Sequence, residues 1–245
     1  MKTPHECKTL QFEGIAYAYM GAQKPALDSL SMRLEGGKRV SLIGKNGSGK
    51  STLMLIANGT LKPAEGCLQL NSQLVSYDRK GLRRLREAVG IVFQNPDDQL
   101  FSASVRQDIS LGPLNLGLSQ EEARERVNEV VELCNLAPLL SRPTHALSGG
   151  EKTRVALAGV LAMRPAFLFA DEVTNSLDPW MRSQVLMILS EWVRLGNTVI
   201  LSTHDWTLAE KWSDQIYWLD SGHIYRQGTP NEVLKGADIP SSFGA

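Results

Sequence analysis

The hydrophobic positions of this chain follow two patterns, and each pattern predicts a different kind of β-strand. Residues 15–19 alternate with a period of two, which is typical of a strand with one buried face. Short continuous apolar runs instead predict strands that are covered on both faces, as in a parallel sheet. The strands predicted in the first part of the chain are 12–19, 30–34, 39–43, 67–70 and 89–93, and the later buried runs are 167–170, 198–201 and 216–219.

A helical period is strongest in the middle of the chain. Ser119 and Glu122 have the spacing of a capping box, in which each side chain binds the backbone N–H of the other residue. The surrounding segment, about 96–146, is mostly helix and loop, with prolines and glycines at its joints. The pattern therefore predicts a single domain over 1–245, an α/β core interrupted by a small helical subdomain. The apolar residues that recur on one face of the helix are Ala123, Val127, Val130, Val131 and Cys134.

Composition excludes several classes of protein. Hydrophobic residues make up 42% of the chain, which is enough to build a core, and Lys+Arg and Asp+Glu are both 26. A protein that clamps nucleic-acid backbone normally carries a basic excess, so zero net charge disfavours that function. The longest apolar run, 155–163, is too short to span a membrane, and the N-terminus lacks the apolar run of a secretory signal. A soluble cytosolic chain is expected.

The cysteines and histidines point to no metal centre. Cys7, Cys67 and Cys134 have no paired spacing, so neither a disulfide framework nor a zinc site is predicted. His5 lies close to Cys7, but two ligands near a terminus make a weak metal site. His145 and His223 are expected to be ordinary surface histidines.

One glycine-rich segment carries a strong functional signal. It fits G-x-x-x-x-G-K-[ST] directly after an apolar strand and before a helix, the arrangement that cradles phosphate groups. The glycines let backbone N–H groups point inward, Lys50 is suited to the outer phosphates, and the Ser51 hydroxyl is suited to Mg²⁺. The alternative is a glycine-rich turn that matches by chance. The predicted nucleotide-binding residues are Gly44, Lys45, Asn46, Gly47, Ser48, Gly49, Lys50, Ser51 and Thr52.

Two acids follow the apolar run 167–170. Asp171 is placed to hold Mg²⁺ through water, and Glu172 to orient or deprotonate an attacking water. Two acids after a strand could also be a helix N-cap. Combined with the phosphate loop, the catalytic interpretation is favoured, with ATP and Mg²⁺ as the expected ligands.

The segment Leu147-Ser148-Gly149-Gly150-Glu151 resembles the signature of ATP-binding cassette (ABC) ATPases, and the resemblance covers nearly the whole chain. It implies the ABC ATPase fold, a mixed sheet core with an antiparallel part. It also implies a head-to-tail dimer, in which each ATP lies between the phosphate loop of one protomer and the signature of the other. The further residues that match the family are Gln94 (Mg²⁺ and catalysis), Asp178 (the D-loop), His204 (the switch histidine) and Tyr19 (adenine stacking, with Tyr17 the weaker candidate).

A narrower resemblance is to the ATPases of energy-coupling-factor importers, above all those of cobalt and nickel uptake. Segments 93–101, 112–118 and 142–146 carry it, together with Glu151 and Lys152. This similarity implies a second ATPase protomer, identical or homologous. It also implies a transmembrane coupling protein and a substrate-binding membrane protein, with this chain peripheral on the cytoplasmic face of the membrane and no nucleic acid partner.

Four positions depart from the usual family pattern, although none removes a catalytic group. Val173 replaces a common proline, Asn175 a small residue, Thr153 a basic or polar residue, and Met20 a proline. Val173 and Asn175 are expected to alter how the Glu172 loop and the D-loop communicate.

Alternative functions remain open at this point: a vitamin importer, a soluble ABC ATPase acting on DNA or ribosomes, or a regulatory module without turnover. The absence of a coiled-coil insertion and of a second cassette disfavours the soluble class. The intact Glu172, Gln94 and His204 disfavour the regulatory one. The basic segment 79–86 is expected to be a solvated helix face or a surface near lipid headgroups. The tryptophans expected to serve in packing are Trp180, Trp192, Trp206, Trp212 and Trp218.

Overall fold

Two β-sheets and the helices around them organise residues 9–235, the part of the chain that the computed structural model describes. His5 and Cys7 lie outside the described residues. The strands are β1 Thr9–Tyr17, β2 Leu27–Glu35, β3 Arg39–Ile43, β4 Glu65–Leu70, β5 Gln73–Leu74, β6 Val89–Val92, β7 Phe167–Asp171, β8 Thr198–Thr203, β9 Gln215–Asp220 and β10 His223–Gly228. The α-helices are α1 Lys50–Ala57, α2 Arg79–Ala88, α3 Val105–Asn115, α4 Gln120–Leu133, α5 Gly149–Leu161, α6 Pro179–Arg194, α7 Trp206–Trp212 and α8 Pro230–Leu234.

The first sheet is antiparallel, with the strand order β2-β1-β4-β5. In β2, buried Leu30, Met32 and Leu34 alternate with exposed residues, because successive side chains of a strand point to opposite faces. The prediction of a strand over 12–19 was wrong at both ends, because β1 spans Thr9–Tyr17. The pairing of β1 shifts register beyond Phe12, and the chain turns after the strand, where Ala22 N–H donates to the Tyr19 carbonyl at 3.0 Å.

The second sheet has the order β10-β9-β3-β8-β7-β6, in which only the β9–β10 pairing, among the described strands, is antiparallel. Its central strands are the predicted continuous apolar runs. Phe167 and Phe169 of β7 pack into one core cluster, whereas Leu168 and Ala170 pack into another. The run is apolar throughout because both of its faces are covered. The mixed sheet and the antiparallel part confirm the predicted fold class.

Helices α3, α4 and α5 pack together beside this sheet. The capping box of Ser119 and Glu122 is present at the start of α4, as predicted. The apolar face of α4 is buried as well, through Ala123, Val127, Val130 and Val131. None of the helices within the described range is long and apolar enough to cross a membrane.

The predicted packing role of the tryptophans is wrong at one position. Trp192 is fully buried and its indole N–H donates to the Pro165 carbonyl at 3.3 Å. Trp206 and Trp218 pack edge to face, with ring centroids 4.6 Å apart. Trp180, in contrast, is 63% exposed. It stands in the first turn of α6, where its side chain faces away from the core.

Candidate active site

The loop between β3 and α1 adopts a left-handed backbone conformation at three positions, and each of them is a glycine. Gly44, Gly47 and Gly49 have φ angles of +153°, +79° and +107°, which residues with a side chain rarely adopt. A Cβ atom at Gly44 would lie 2.3 Å from the carbonyl oxygen of Leu219, and one at Gly49 would lie 2.5 Å from that of Ala26. Neighbouring backbone therefore encloses the loop so closely that a larger residue would displace it.

A cavity of about 380 Å³ opens over this loop and the beginning of α1. Gly49 is the N-cap of α1 and has no side chain that could accept from the first N–H groups of the helix. Those donors and the helix dipole favour an anion in the cavity. The predicted site residues that line it come from four parts of the chain: Tyr19, Asn46, Gly47, Gly49, Lys50, Ser51, Thr52, Gln94, Asp171 and Glu172.

Lys50 holds the loop in its curled form. Its ammonium group donates to the carbonyl oxygens of Gly44 at 2.8 Å and Lys45 at 3.0 Å, and its side chain is only 5% exposed. Burial lowers the pKa of Lys50, while the charges of Glu172 and Asp171 oppose that shift. A buried cation with two nearby carboxylates suits a site that receives the negative charge of phosphates.

Two of the three residues predicted to hold Mg²⁺, Ser51 and Asp171, lie in direct contact. Ser51 Oγ donates to Asp171 Oδ2 at 2.8 Å, although the two residues belong to separate strand–loop units. Gln94 lines the same cavity just beyond the end of β6. A hydroxyl, a carboxylate and an amide oxygen are hard ligands of the kind that Mg²⁺ prefers, with water completing the octahedron. The donor set therefore fits this ion.

Tyr19 stands at the rim of the cavity. Its hydroxyl lies 3.2 Å from Thr52 Oγ1, and the residue is 46% exposed. Tyr17 packs edge to face against Tyr19, with ring centroids 5.1 Å apart, and also against the core cluster beneath. Of the two aromatic candidates, Tyr19 is the one that the described chain presents to the cavity.

Glu172 lies between a lysine and a histidine. Its Oε1 is 3.9 Å from Lys50 Nζ and 3.9 Å from His204 Nδ1. The Glu172 side chain is 11% exposed, whereas that of His204 is 51% exposed. Strands β7 and β8 run parallel with Asp171 opposite Ser202, so the residues that follow their ends become neighbours. A nearly buried carboxylate at the edge of a phosphate-type site can accept a proton from water.

The signature forms the start of α5, with Gly149 and Gly150 in the first turn of the helix. Ser148 is the N-cap: its hydroxyl accepts from the N–H of Glu151 at 3.3 Å, and the Glu151 carboxylate accepts from the N–H of Ser148 at 2.8 Å. This hydrogen bond from Ser148 holds the pKa of Glu151 below its usual value. The same S-x-x-E spacing marks the start of α4.

The two signature glycines differ in their surroundings. A Cβ atom at Gly150 would lie 2.6 Å from Cγ of Met181, so this glycine packs against the first turn of α6. At Gly149, no atom of the described chain, apart from its own neighbours, lies within 4 Å of such a Cβ. The backbone of α5 is therefore open on one side and closed on the other.

Several predicted site residues stay outside the main cavity. Asp178 is the N-cap of α6 and accepts from the N–H groups of Trp180 and Met181 at 2.9 Å and 3.0 Å. Gly149 instead lines a second cavity of about 340 Å³ beside Gln94 and Glu172. The remaining predicted residues line neither of these cavities in the described chain: Gly44, Lys45, Ser48, Ser148, Gly150, Glu151 and His204.

Two features of the site were missed from the sequence. Ala26 lines the main cavity, but a lone alanine before a strand carries no local signal. The amide of Asn175 contacts both Glu172, at 2.8 Å, and His204, at 3.2 Å. Asn175 stood out only as a departure from a family pattern, because its partner His204 is far away along the chain.

Comparison with known proteins finds relatives that match most of this chain. Residues 27–175 match the family model described as ABC transporter. The energy-coupling factor transporter ATP-binding protein EcfA of Methanothermobacter thermautotrophicus is 44% identical over 230 residues, which cover 94% of this chain and 74% of that protein. EcfA of Methanococcus maripaludis is 42% identical over 233 residues, covering 95% and 84%.

Solved structures show the same fold. The chain is similar to cbiO1 of Clostridium perfringens, part of the ABC transporter complex cbiONQ, with a TM-score of 0.84, 41% identity and coverage of 93% of this chain and 91% of that one. It is also similar to a dimeric, post-hydrolysis ATP-binding cassette bound to ADP and Pi, with a TM-score of 0.82, 26% identity and coverage of 90% and 98%.

Proposed function

The chain belongs to the ABC transporter family of ATPases, and we propose that it is the motor subunit of an energy-coupling-factor importer of cobalt or nickel ions. The observation that carries the ATPase function is the meeting of four groups around one cavity. Lys50 and Ser51 of the phosphate loop face Asp171 and Glu172 at the end of β7. A phosphate cradle, a metal-binding pair and a candidate base are thus in one place.

Each group has a role that follows from its chemistry. The open N–H groups of α1 and the Lys50 ammonium bind the β and γ phosphates of ATP. Ser51, Gln94 and Asp171 would hold Mg²⁺, which would supply positive charge to neutralise the phosphates. Glu172 accepts the proton of the attacking water at a carboxylate oxygen, and His204 donates a hydrogen bond to the γ-phosphate. Tyr19 stacks on the adenine.

The signature is proposed to serve a second protomer. Ser148, Gly150 and Glu151 do not line the main cavity of their own described chain. Open space surrounds the position that a Cβ atom of Gly149 would occupy. The N-terminus of a helix can bind an anion that approaches it. Approach by a second ATPase protomer, identical or homologous, would bring that anion, with Asp178 beside the contact.

The remaining partners follow from the proposed class. We propose a transmembrane coupling protein and a substrate-binding membrane protein, with this chain peripheral on the cytoplasmic face and with segment 96–146 as a helical subdomain that contacts the membrane partner. The cobalt or nickel cargo rests on the sequence similarity of segments 93–101 and 112–118 to that group of ATPases. Vitamins such as biotin are the alternative cargo.

Purification and uptake test the proposal together. The tagged chain is purified from detergent-solubilised membranes of its host, and copurifying subunits are identified by mass spectrometry. Uptake of radioactive cobalt, nickel and biotin is then compared in a deletion strain that carries the wild-type chain or the Lys50→Ala variant. We expect two membrane proteins and a loss of metal uptake in the variant strain. Selective loss of biotin uptake would contradict the assignment of cobalt or nickel as the cargo. Copurification with ribosomes would contradict the assignment of the chain to an importer.

A further inference from the structure

The Asn175 side chain lies between the two residues that follow the ends of β7 and β8. Its Nδ2 is 2.8 Å from Glu172 Oε2 and 3.2 Å from His204 Nδ1. Oε1 of Glu172 and Nδ1 of His204 are themselves 3.9 Å apart, which is too far for a direct hydrogen bond. The amide of Asn175 therefore bridges the carboxylate and the imidazole.

The direction of both hydrogen bonds follows from the chemistry of the groups. A carboxylate can only accept, so the end of the amide that faces Glu172 must be the NH₂ group. That group has two hydrogens, and the second is available to His204. Nδ1 of the imidazole must then be the acceptor, which leaves the ring hydrogen on Nε2.

The backbone fixes where this amide can reach. Glu172 has φ of +48°, an unusual value for a residue with a side chain, and its N–H donates to the Ser202 carbonyl at 3.2 Å. The N–H of Asn175 donates to the Glu172 carbonyl at 3.1 Å, which closes a turn. Both of these hydrogen bonds are made by backbone atoms, so the Asn175 amide is left to contact Glu172 and His204.

We propose that Asn175 is a positioning residue that holds the Glu172 carboxylate in place and fixes His204 as its Nε2–H tautomer. The inference rests on the proposed ATP hydrolysis. With Oε2 bound by Asn175, Oε1 of Glu172 is the oxygen left for water, on the side of Lys50. With Nδ1 bound, His204 presents an N–H, not a lone pair, at its outer nitrogen. A phosphate oxygen can accept a hydrogen bond from this N–H but not from a nitrogen lone pair.

The length of the asparagine side chain is what makes this bridge possible. Alanine or serine in the same turn could not span from Glu172 to His204 with a two-hydrogen donor. Aspartate has the same shape but only acceptor atoms, so it would reverse the hydrogen bond to Nδ1 and place a like charge beside Glu172. Asn175→Ala and Asn175→Asp therefore separate loss of the bridge from its reversal.

The first measurement needs no nucleotide. Long-range ¹H–¹⁵N spectra of histidine-labelled protein in alkaline solution report which ring nitrogen of His204 carries hydrogen, with His204→Gln providing the assignment. We expect only the Nε2–H tautomer in the wild type and the Nδ1–H tautomer in Asn175→Asp. Asn128→Asp, the same change on an exposed position of α4, is the matched control and should leave the spectrum unchanged. A wild-type Nδ1–H tautomer would overturn the proposal.

The second measurement is ATPase kinetics. Loss of orientation in Asn175→Ala should lower kcat roughly tenfold or more, while KM for ATP stays within about twofold. Asn175→Asp should be slower still, and Asn128→Asp should match the wild type. Should a variant fold poorly, Asn175→Ser keeps the polar turn and should show the same loss of kcat.

The outcomes distinguish the inference from the function on which it rests. Wild-type turnover that Glu172→Gln abolishes but Asn175→Ala leaves unchanged would disprove the positioning role alone. Absence of any turnover that depends on Glu172 would disprove the proposed ATPase mechanism. In that case the tautomer of His204, measured without nucleotide, would still test whether the Asn175 amide donates to Nδ1 of His204.

Discussion

The ammonium nitrogen of Lys152 lies 2.7 Å from Oδ1 of Asp97. Lys152 stands in the first turn of α5, beside the signature, and Asp97 stands three residues beyond Gln94. The Lys152 side chain is 17% exposed and that of Asp97 60% exposed, so the pair is partly shielded from solvent. The segment after Gln94 and the start of the signature helix are thus joined within one chain.

Reversing the charge of Asp97 should destabilise this junction. Asp97→Lys places two cations together, and we expect the free energy of unfolding to fall by about 0.2–1 kcal/mol, the range measured for exposed ion pairs. The swap Asp97→Lys with Lys152→Asp should recover most of the loss, as measured by urea unfolding. Equal stability of the single variant and the swap would show that the pair contributes nothing.

Coupling to the membrane partner is expected to depend on the exposed part of the same segment. Leu100 packs against the core, whereas Phe101 is 76% exposed. We therefore predict that Asp98→Lys with Phe101→Ser lowers membrane association and cargo uptake while ATP affinity is unchanged. Leu74→Ser is the control, because Leu74 on β5 is 70% exposed and so comparable with Phe101. Normal uptake by the double variant would make this segment purely structural. Charge reversal at Asp97 is a less clean test, because it also breaks the contact with Lys152.

Nucleotide affinity should depend on Lys50. Lys50→Ala removes a cation aimed at the β and γ phosphates, and charged hydrogen bonds are worth about 1.5–3 kcal/mol each. We expect ATP binding to weaken at least about tenfold, the equivalent of 1.4 kcal/mol. Titration calorimetry of the folded variant measures this, with Lys80→Ala on the exposed face of α2 as the control. Unchanged affinity would contradict the assignment of the phosphate loop.

Binding and hydrolysis should separate at Glu172. A positioned general base contributes about 10²–10⁴-fold, so Glu172→Gln should lose most turnover while it still binds ATP. The variant should then accumulate as an ATP-bound dimer, which light scattering detects. Glu191→Gln, at a position late in α6, is the control. A Glu172→Gln protein that is saturated with ATP and remains monomeric would argue against the shared site.

Stability at acid pH should depend on Asp214. Hydrogen bonds from the Arg39 guanidinium and its backbone N–H hold the pKa of Asp214 below its usual value, against the effect of burial. A lowered pKa in the folded state stabilises the protein above the unfolded value of about 3.9, and this contribution is lost as the pH falls through the folded value. Asp214→Asn should therefore flatten the loss of stability below about pH 4. An unchanged acid limb in thermal unfolding would refute this.

Much of the site could be predicted because its signals are local. The glycine-rich loop must follow a strand and begin a helix, and Gly44 and Gly49 stand where any Cβ would collide with backbone. The capping box of α4 and the apolar runs of β7 and β8 depend only on nearby residues and on burial of both sheet faces. These features follow from backbone sterics and periodicity, which the sequence displays directly.

Other features depend on which strands become neighbours. The register of β7 on β8 puts Glu172 beside His204 and allows Asn175 to bridge them, and the fold brings Ser51 to Asp171. Most of these residues could be proposed as site residues from their type and motif. No local sequence pattern predicts the distances between them. The phosphate loop, the main strands and the family resemblance could all be predicted from the order of residues along the chain. The contacts among the site residues could not, because hydrogen bonds between distant segments depend on the packing of the whole sheet.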